Sequence, residues 1–310
     1  MAALKLPIGL NLQEVNSTSP NNGFLFNLLA NNLANSWILS MIINMVAIFI
    51  IALLLNRLLV NNKYVSPASF LPALAVILFT SIVASVNIFN GQLLANIMLL
   101  FAFLIAVSMV NTEVKLTSVF NIAFIISLAS LFYFPYIYFG LFAFMVLLIL
   151  RVTNWREWLL VVVGLALPYL WAFAIAYLFQ QTDNFILQAS FSLPTLFNGF
   201  DANYGNLIRI ITFILITLAG VFALISNVGS KPLKTRKFVS MVVSLLVIAT
   251  LVFVGYSTGS ISDLSILLIP SSIIFACLLG NNKAKLQTEL WHFALFGMVL
   301  TFEIIKLINK

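Results

Sequence analysis

Residues 119–158 read VFNIAFIISLASLFYFPYIYFGLFAFMVLLILRVTNWREW. From Val119 to Leu150 no side chain carries a charge, and Phe134-Pro135 near the middle is the one break. As a single helix this run would rise roughly 48 Å at about 1.5 Å per residue, far beyond a hydrocarbon core of ~30 Å. As a hairpin turning at Pro135, each arm of about 15 residues spans ~22 Å, somewhat short. Pro135 lacks a backbone donor and disfavours helix at Phe134, so a break here is physically sensible. Length alone does not choose. Charge does.

Outside this stretch, apolar segments at Trp37–Leu55, Phe70–Val86, Gln92–Val110, Leu159–Leu178, Ile210–Ser226, Phe238–Tyr256, Leu264–Gly280 and Leu290–Ile305 each read as a span. With the hairpin there are about ten spans. Arg57, Lys63, Lys115, Arg151, Arg156, Lys231, Lys234, Arg236, Lys237, Lys283 and Lys285 then share one side, 11 of the 15 basic residues. Loops rich in Lys and Arg stay cytoplasmic. A single long helix would flip everything after it and carry the Lys231–Lys237 cluster outward. The hairpin is therefore expected, with two short helices meeting at Phe134–Tyr136 on the outer side.

The composition agrees with a membrane bundle. The 310 residues are 63% hydrophobic and 7% charged, against ~25% charged in soluble domains. The formal charge of +7 sits between apolar segments, which suits anionic lipid and excludes a nucleic-acid reading face. Cys277 and His292 are each the sole residue of their kind, so no disulfide, metal site or cofactor is expected. The fold class is all-α, a multi-pass transmembrane helix bundle. Residues 1–36 form an external polar segment with a surface helix, and 37–310 a single transmembrane domain. No signal peptide is visible in the first 23 residues. Both chain ends fall outside in this threading, which is unusual without a signal sequence; a further apolar helix upstream of Met1 would cure that.

LASLFYFPYIYFGLFAF, followed by Arg151 and NWREWLLVVVGLALPYLWAF, resembles a family of bacterial inner-membrane proteins of unknown function. The resemblance extends to PASFLPAL at Pro67–Leu74 and QLLANIMLLFAF at Gln92–Phe103. It implies a polytopic protein of the inner membrane and supplies no activity. More loosely, the chain is similar to C-type membrane glycosyltransferases, which use polyprenyl-phosphate sugars. These place an acidic pair in their first outer loop, where this sequence has Glu14 in NLQEVNSTSP.

Candidate site residues follow from this layout. The outward acids Glu14, Asp183, Asp201 and Asp263 fit a base or ligand for sugar transfer, or simply solvated loops. Asn44, Gln92 and Asn96 lie in or at the ends of spans. They face the bundle interior and bond across helices, or touch a ligand. Tyr133, Tyr136 and Tyr138 surround the Pro135 turn, as a lipid or glycan cradle or as an aromatic belt at the headgroups. Arg151 and Arg156, beside Trp155 and Glu157, suit phosphate recognition or anchor the topology. Glu303 and Lys306 are one helical turn apart and form a local ion pair. The functional expectation is handling of a lipid-linked or amphipathic substrate in envelope building, with membrane lipids as partners. The alternative is a non-catalytic assembly subunit contacting other membrane proteins. A transporter is disfavoured, because FNLLAN near Phe26 and FNGQLLAN near Phe89 are too short to form an inverted repeat.

Overall fold

The computed structural model describes residues 21–33, 37–62, 64, 70–83, 91–111, 114–180, 182, 185–186, 204–226, 232–256, 261–281, 293 and 297. In chain order these form α1 (Phe24–Leu33), α2 (Trp37–Asn61), α3 (Leu71–Val83), α4 (Gly91–Asn111), α5 (Leu116–Phe132), α6 (Gly140–Leu150) and α7 (Trp155–Leu178). They continue with α8 (Tyr204–Ser226), α9 (Leu233–Tyr256) and α10 (Leu268–Asn281). Two 3-10 turns, Phe134–Phe139 and Ile261–Leu267, lead into α6 and α10. Among the described residues four helices, in α2, α4, α7 and α9, are long and apolar enough to cross a membrane. The other helices carry shorter apolar stretches of 10–17 residues, Phe213–Ser226 of α8 among them.

The chain does reverse at Pro135. Helix α5 ends at Phe132, Tyr133 is extended at φ −143° and ψ 109°, and Pro135 sits in the opening turn of the 3-10 helix. That position is where a missing backbone N–H does least harm. Direction follows from what each arm touches on α7. Ser127 bonds the Leu165 carbonyl and Ser130 meets Tyr169, so α5 runs parallel to α7. Gly140 faces Leu165 while Phe144 packs on Trp158, so α6 runs antiparallel. Arms of this length are protected by neighbours: α5 is sandwiched between α4 and α7, and α6 lies against α9.

Small residues and hydroxyls make these approaches close. A Cβ on Gly164 would sit 2.8 Å from the Ala123 Cβ and 2.9 Å from the Phe120 carbonyl oxygen. Pro168 lies within α7 and cannot donate to the Gly164 carbonyl, and Ser127 Oγ donates to the Leu165 carbonyl across the interface at 2.7 Å. Lipid is as apolar as leucine, so packing and interhelical hydrogen bonds rather than the hydrophobic effect hold such a bundle together.

The turn's backbone has a partner that sequence reading did not supply. Gly23 N donates to the Phe132 carbonyl and Phe134 N to the Asn21 carbonyl, both at 3.0 Å, with Asn22 bridging Tyr133 in antiparallel pairing. These are the groups that the Pro135 break leaves open, and lipid offers them nothing. Gly23 has no alternative here, since any Cβ would lie 2.1 Å from the Leu131 carbonyl oxygen. Helix α1 follows directly and buries Phe24 and Phe26.

Helix directions put Lys115, Arg151, Arg156, Lys234, Arg236 and Lys237 at the end of the bundle away from this turn. Arg57 joins them, because Tyr64 just beyond α2 stacks on Phe238 near the start of α9 with centroids 3.8 Å apart. The spans begin earlier than hydropathy suggests. Trp155–Trp158 forms the first turn of α7, and Lys234, Arg236 and Lys237 the first turns of α9. Long basic side chains can extend to water from a helix end, so polarity there does not stop the helix.

Candidate functional site

Beneath the hairpin turn, three elements bring their polar side chains to one place. The first turns of α4 carry Gln92 and Asn96, four residues apart and so on one face. The turn after α5 supplies Tyr133 and Tyr136, and the second 3-10 turn supplies Asp263 and Ser265. All six are at least 96% shielded from solvent. Such burial is unfavourable unless each group finds a partner.

The partners close into a network. Tyr136 donates its hydroxyl to Asn96 Oδ1 at 2.9 Å, and Asn96 Nδ2 donates to the Ser265 carbonyl at 2.8 Å. Ser265 Oγ donates to Gln92 Oε1, and Gln92 Nε2 donates to Asp263 Oδ1 at 3.3 Å. The Tyr133 hydroxyl lies within reach of the Gln92 and Asn21 side chains, with the Asp263 carboxyl near enough to act on it electrostatically. The Tyr133 and Tyr136 rings meet edge to face, centroids 5.9 Å apart. At the rim the hydroxyls of Tyr138 and Tyr256 bond each other, and Asn21 Nδ2 reaches the Tyr256 carbonyl at 3.5 Å.

Two expectations are corrected. Asp263 is not an outward, solvated loop acid; it is 4% exposed, because residues 261–267 coil inward as the lead-in to α10. Tyr133 and Tyr136 are not an aromatic belt at the headgroups, for they are 1% and 0% exposed and belong to the core. Tyr138 is half-buried at the rim. Asn96 faces inward, and Asn44 is buried as well. Arg151 and Arg156 are exposed at the opposite end and take no part. Glu14, Asp183 and Asp201 lie outside the described residues, as do Glu303 and Lys306. Ser265 and Tyr256 are not among the residues that the sequence points to. The available hint is Ser265, two residues from Asp263 and just ahead of the apolar run Ile266–Pro270.

Beside the network a small, mostly apolar cleft opens between α1, α5 and α7, lined by Gly23, Phe24, Ser130, Leu131, Phe134, Tyr169 and Phe185. Its polar feature is the Ser130–Tyr169 hydroxyl pair at 2.7 Å. Phe185 covers one side by edge contact with Phe24 at 5.4 Å. Chemically, the whole end offers one carboxyl, carboxamides and hydroxyls. That set bonds hydroxyl or amine groups well. Among the described residues no group of three or more His, Cys, Asp or Glu could hold a metal ion.

Residues 23–309 match the profile described as "Family of unknown function (DUF6427)". The chain belongs to that family. In this DUF6427 member, the matched region begins at Gly23, the residue that pairs with the hairpin turn, and takes in every helix described above. No curated protein matches the chain. No solved structure matches it either.

Proposed function

We propose that this DUF6427 protein is a ten-span protein of the bacterial inner membrane, with its basic end in the cytoplasm. On this reading the hairpin end faces outward and handles a lipid-linked or amphipathic substrate in envelope biogenesis. The observation that carries the reading is the convergence of Asp263, Gln92, Asn96, Ser265, Tyr133 and Tyr136 under the turn. An ionisable residue inside a membrane bundle is unfavourable, and it is retained where it does something. Carboxyl, amide and hydroxyl groups suit a glycosyl headgroup, in keeping with the glycosyltransferase resemblance.

The test is photo-crosslinking of the full chain in nanodiscs with a diazirine-bearing polyprenyl-phosphate sugar. Labelling should concentrate on the peptides holding Phe24, Ser130–Phe139 and Tyr169, and an unmodified polyprenyl-phosphate sugar should suppress it. Labelling spread evenly along the lipid-facing side of α7 would end the substrate reading. A second reading, a non-catalytic assembly subunit, is favoured by one observation: the hydrogen bonds of the network described above run among the protein's own groups. Co-purification of a fixed membrane partner without any crosslink at the hairpin would select it.

A further inference from the structure

The polar network under the hairpin is sealed from solvent, so a cover must move before anything can reach Asp263. Most of that cover is helical. The turn and α4 and α9 around it are held by helical hydrogen bonds, and residues 261–267 lead straight into α10. Opening any of these would break several backbone bonds at once, and lipid supplies no replacements.

The strap Asn21–Gly23 is different. It is not helical, and it lies upstream of α1 and of every longer helix. Two backbone bonds hold it to the turn, Gly23 N to the Phe132 carbonyl and Phe134 N to the Asn21 carbonyl. Bonds that flank the Asn22–Tyr133 bridge in this way make it a non-hydrogen-bonded antiparallel pair, whose side chains stand close together on one face. Asn22 therefore sits beside Tyr133, and both are buried. The Asn21 side chain reaches the Tyr256 carbonyl at 3.5 Å and lies within reach of the Tyr133 hydroxyl. At Gly23 backbone meets backbone, because a Cβ would lie 2.1 Å from the Leu131 carbonyl oxygen. The strap thus closes over Tyr133 and touches the network, yet it can leave without unwinding a helix.

We propose that Asn21–Gly23 is a gate, and that lifting it from Phe132–Phe134 admits the hydroxyl-bearing headgroup of a ligand to Tyr133, Gln92 and Asp263. This rests on the substrate reading of the hairpin end. With the strap down, it satisfies the Phe132 carbonyl and the Phe134 N–H and lies within reach of the Tyr133 hydroxyl. With the strap up, those same groups are offered to the incoming hydroxyls, so strap and ligand compete for them. A ligand that bonds them favours the open state, and one without hydroxyls does not.

The test uses the full chain in nanodiscs, in a Cys277→Ser background, with a single cysteine at Ser265 or, as a control, at Ala106 within α4. Both positions are buried. Modification by a sulfonate-bearing methanethiosulfonate is followed by mass spectrometry. Loosening the strap with Gly23→Ala should speed modification at 265 about tenfold and leave 106 unreactive. Phe24→Ala removes the edge contact with Phe185 and keeps the network's own side chains. It should act in the same direction, and it serves should Gly23→Ala fold poorly. Rates at 265 that neither change alters, or a matching rise at 106, overturn the gate. The readout needs no sugar lipid, so the two ideas fail differently. Unchanged rates at 265 sink the gate, whereas dispersed crosslinking together with a rise at 265 sinks the substrate.

Discussion

The Tyr136 hydroxyl donates to Asn96 Oδ1 at 2.9 Å and ties the hairpin turn to α4 across a separation of 40 residues. Because the same Asn96 amide also holds the Ser265 carbonyl, one side chain joins three elements. Tyr136→Phe should strand a buried acceptor and lower stability by about 1–2 kcal/mol. Adding Asn96→Ala should cost less than the sum of the two single changes, since they share one bond. Thermal unfolding of the four proteins of this cycle, in one detergent, measures both. Strict additivity would show that the bond contributes nothing.

Asp263 accepts from Gln92 Nε2 at 3.3 Å, inside the bundle. Asp263→Asn keeps an oxygen acceptor and should be mild, within about 1 kcal/mol. Asp263→Leu leaves the Gln92 amide without that acceptor and should lower stability by roughly 2–3 kcal/mol. In the crosslinking assay, Asp263→Asn should reduce labelling at the hairpin although the protein remains folded. Full labelling by that variant would remove the carboxyl from the proposed site.

Gly23 tolerates no side chain. In Gly23→Ala the new Cβ would meet the Leu131 carbonyl oxygen at 2.1 Å, and backbone cannot move aside cheaply. The Asn21–Gly23 segment should lift off and leave the Phe134 N–H and Phe132 carbonyl without partners. Faster hydrogen exchange at the Phe134 amide, with exchange in the middle of α4 unchanged, is the expected signature. Unaltered protection at Phe134 would mean that the turn is capped some other way.

The orientation can be read by cysteine labelling in a Cys277→Ser background. Gln180 is exposed just past the end of α7, and Lys234 is exposed in the first turn of α9. A membrane-impermeant maleimide added to intact cells should modify a cysteine at 180 and spare one at 234. The reverse pattern would invert the proposed threading.

Local rules made much of the architecture legible. An uncharged run broken at Pro135 left a reversal open, the placement of the basic residues on one side selected it, and α5, the turn and α6 supply it. Hydropathy found α4 within one residue at each end, Gly91–Asn111 against Gln92–Val110, because a long apolar run has few ways to pair its backbone in lipid. Hydropathy could not place the helix starts at Trp155 and Leu233. There basic and aromatic side chains already belong to the first turns of the helices.

What the sequence by itself determined is which residues are polar within each apolar segment: Gln92 and Asn96 in one, Tyr133 and Tyr136 at another, Asp263 and Ser265 ahead of a third. What only the tertiary structure decided is that these three meet. Gln92 and Asp263 are 171 residues apart, and periodicity says which side of a helix is polar but not which helix it faces. The same limit explains why Asp263 reads as a loop acid and Tyr136 as a headgroup anchor from the sequence. In lipid, an unpartnered carboxyl or phenol is driven toward whatever donor or acceptor another helix presents, and that choice is made by packing.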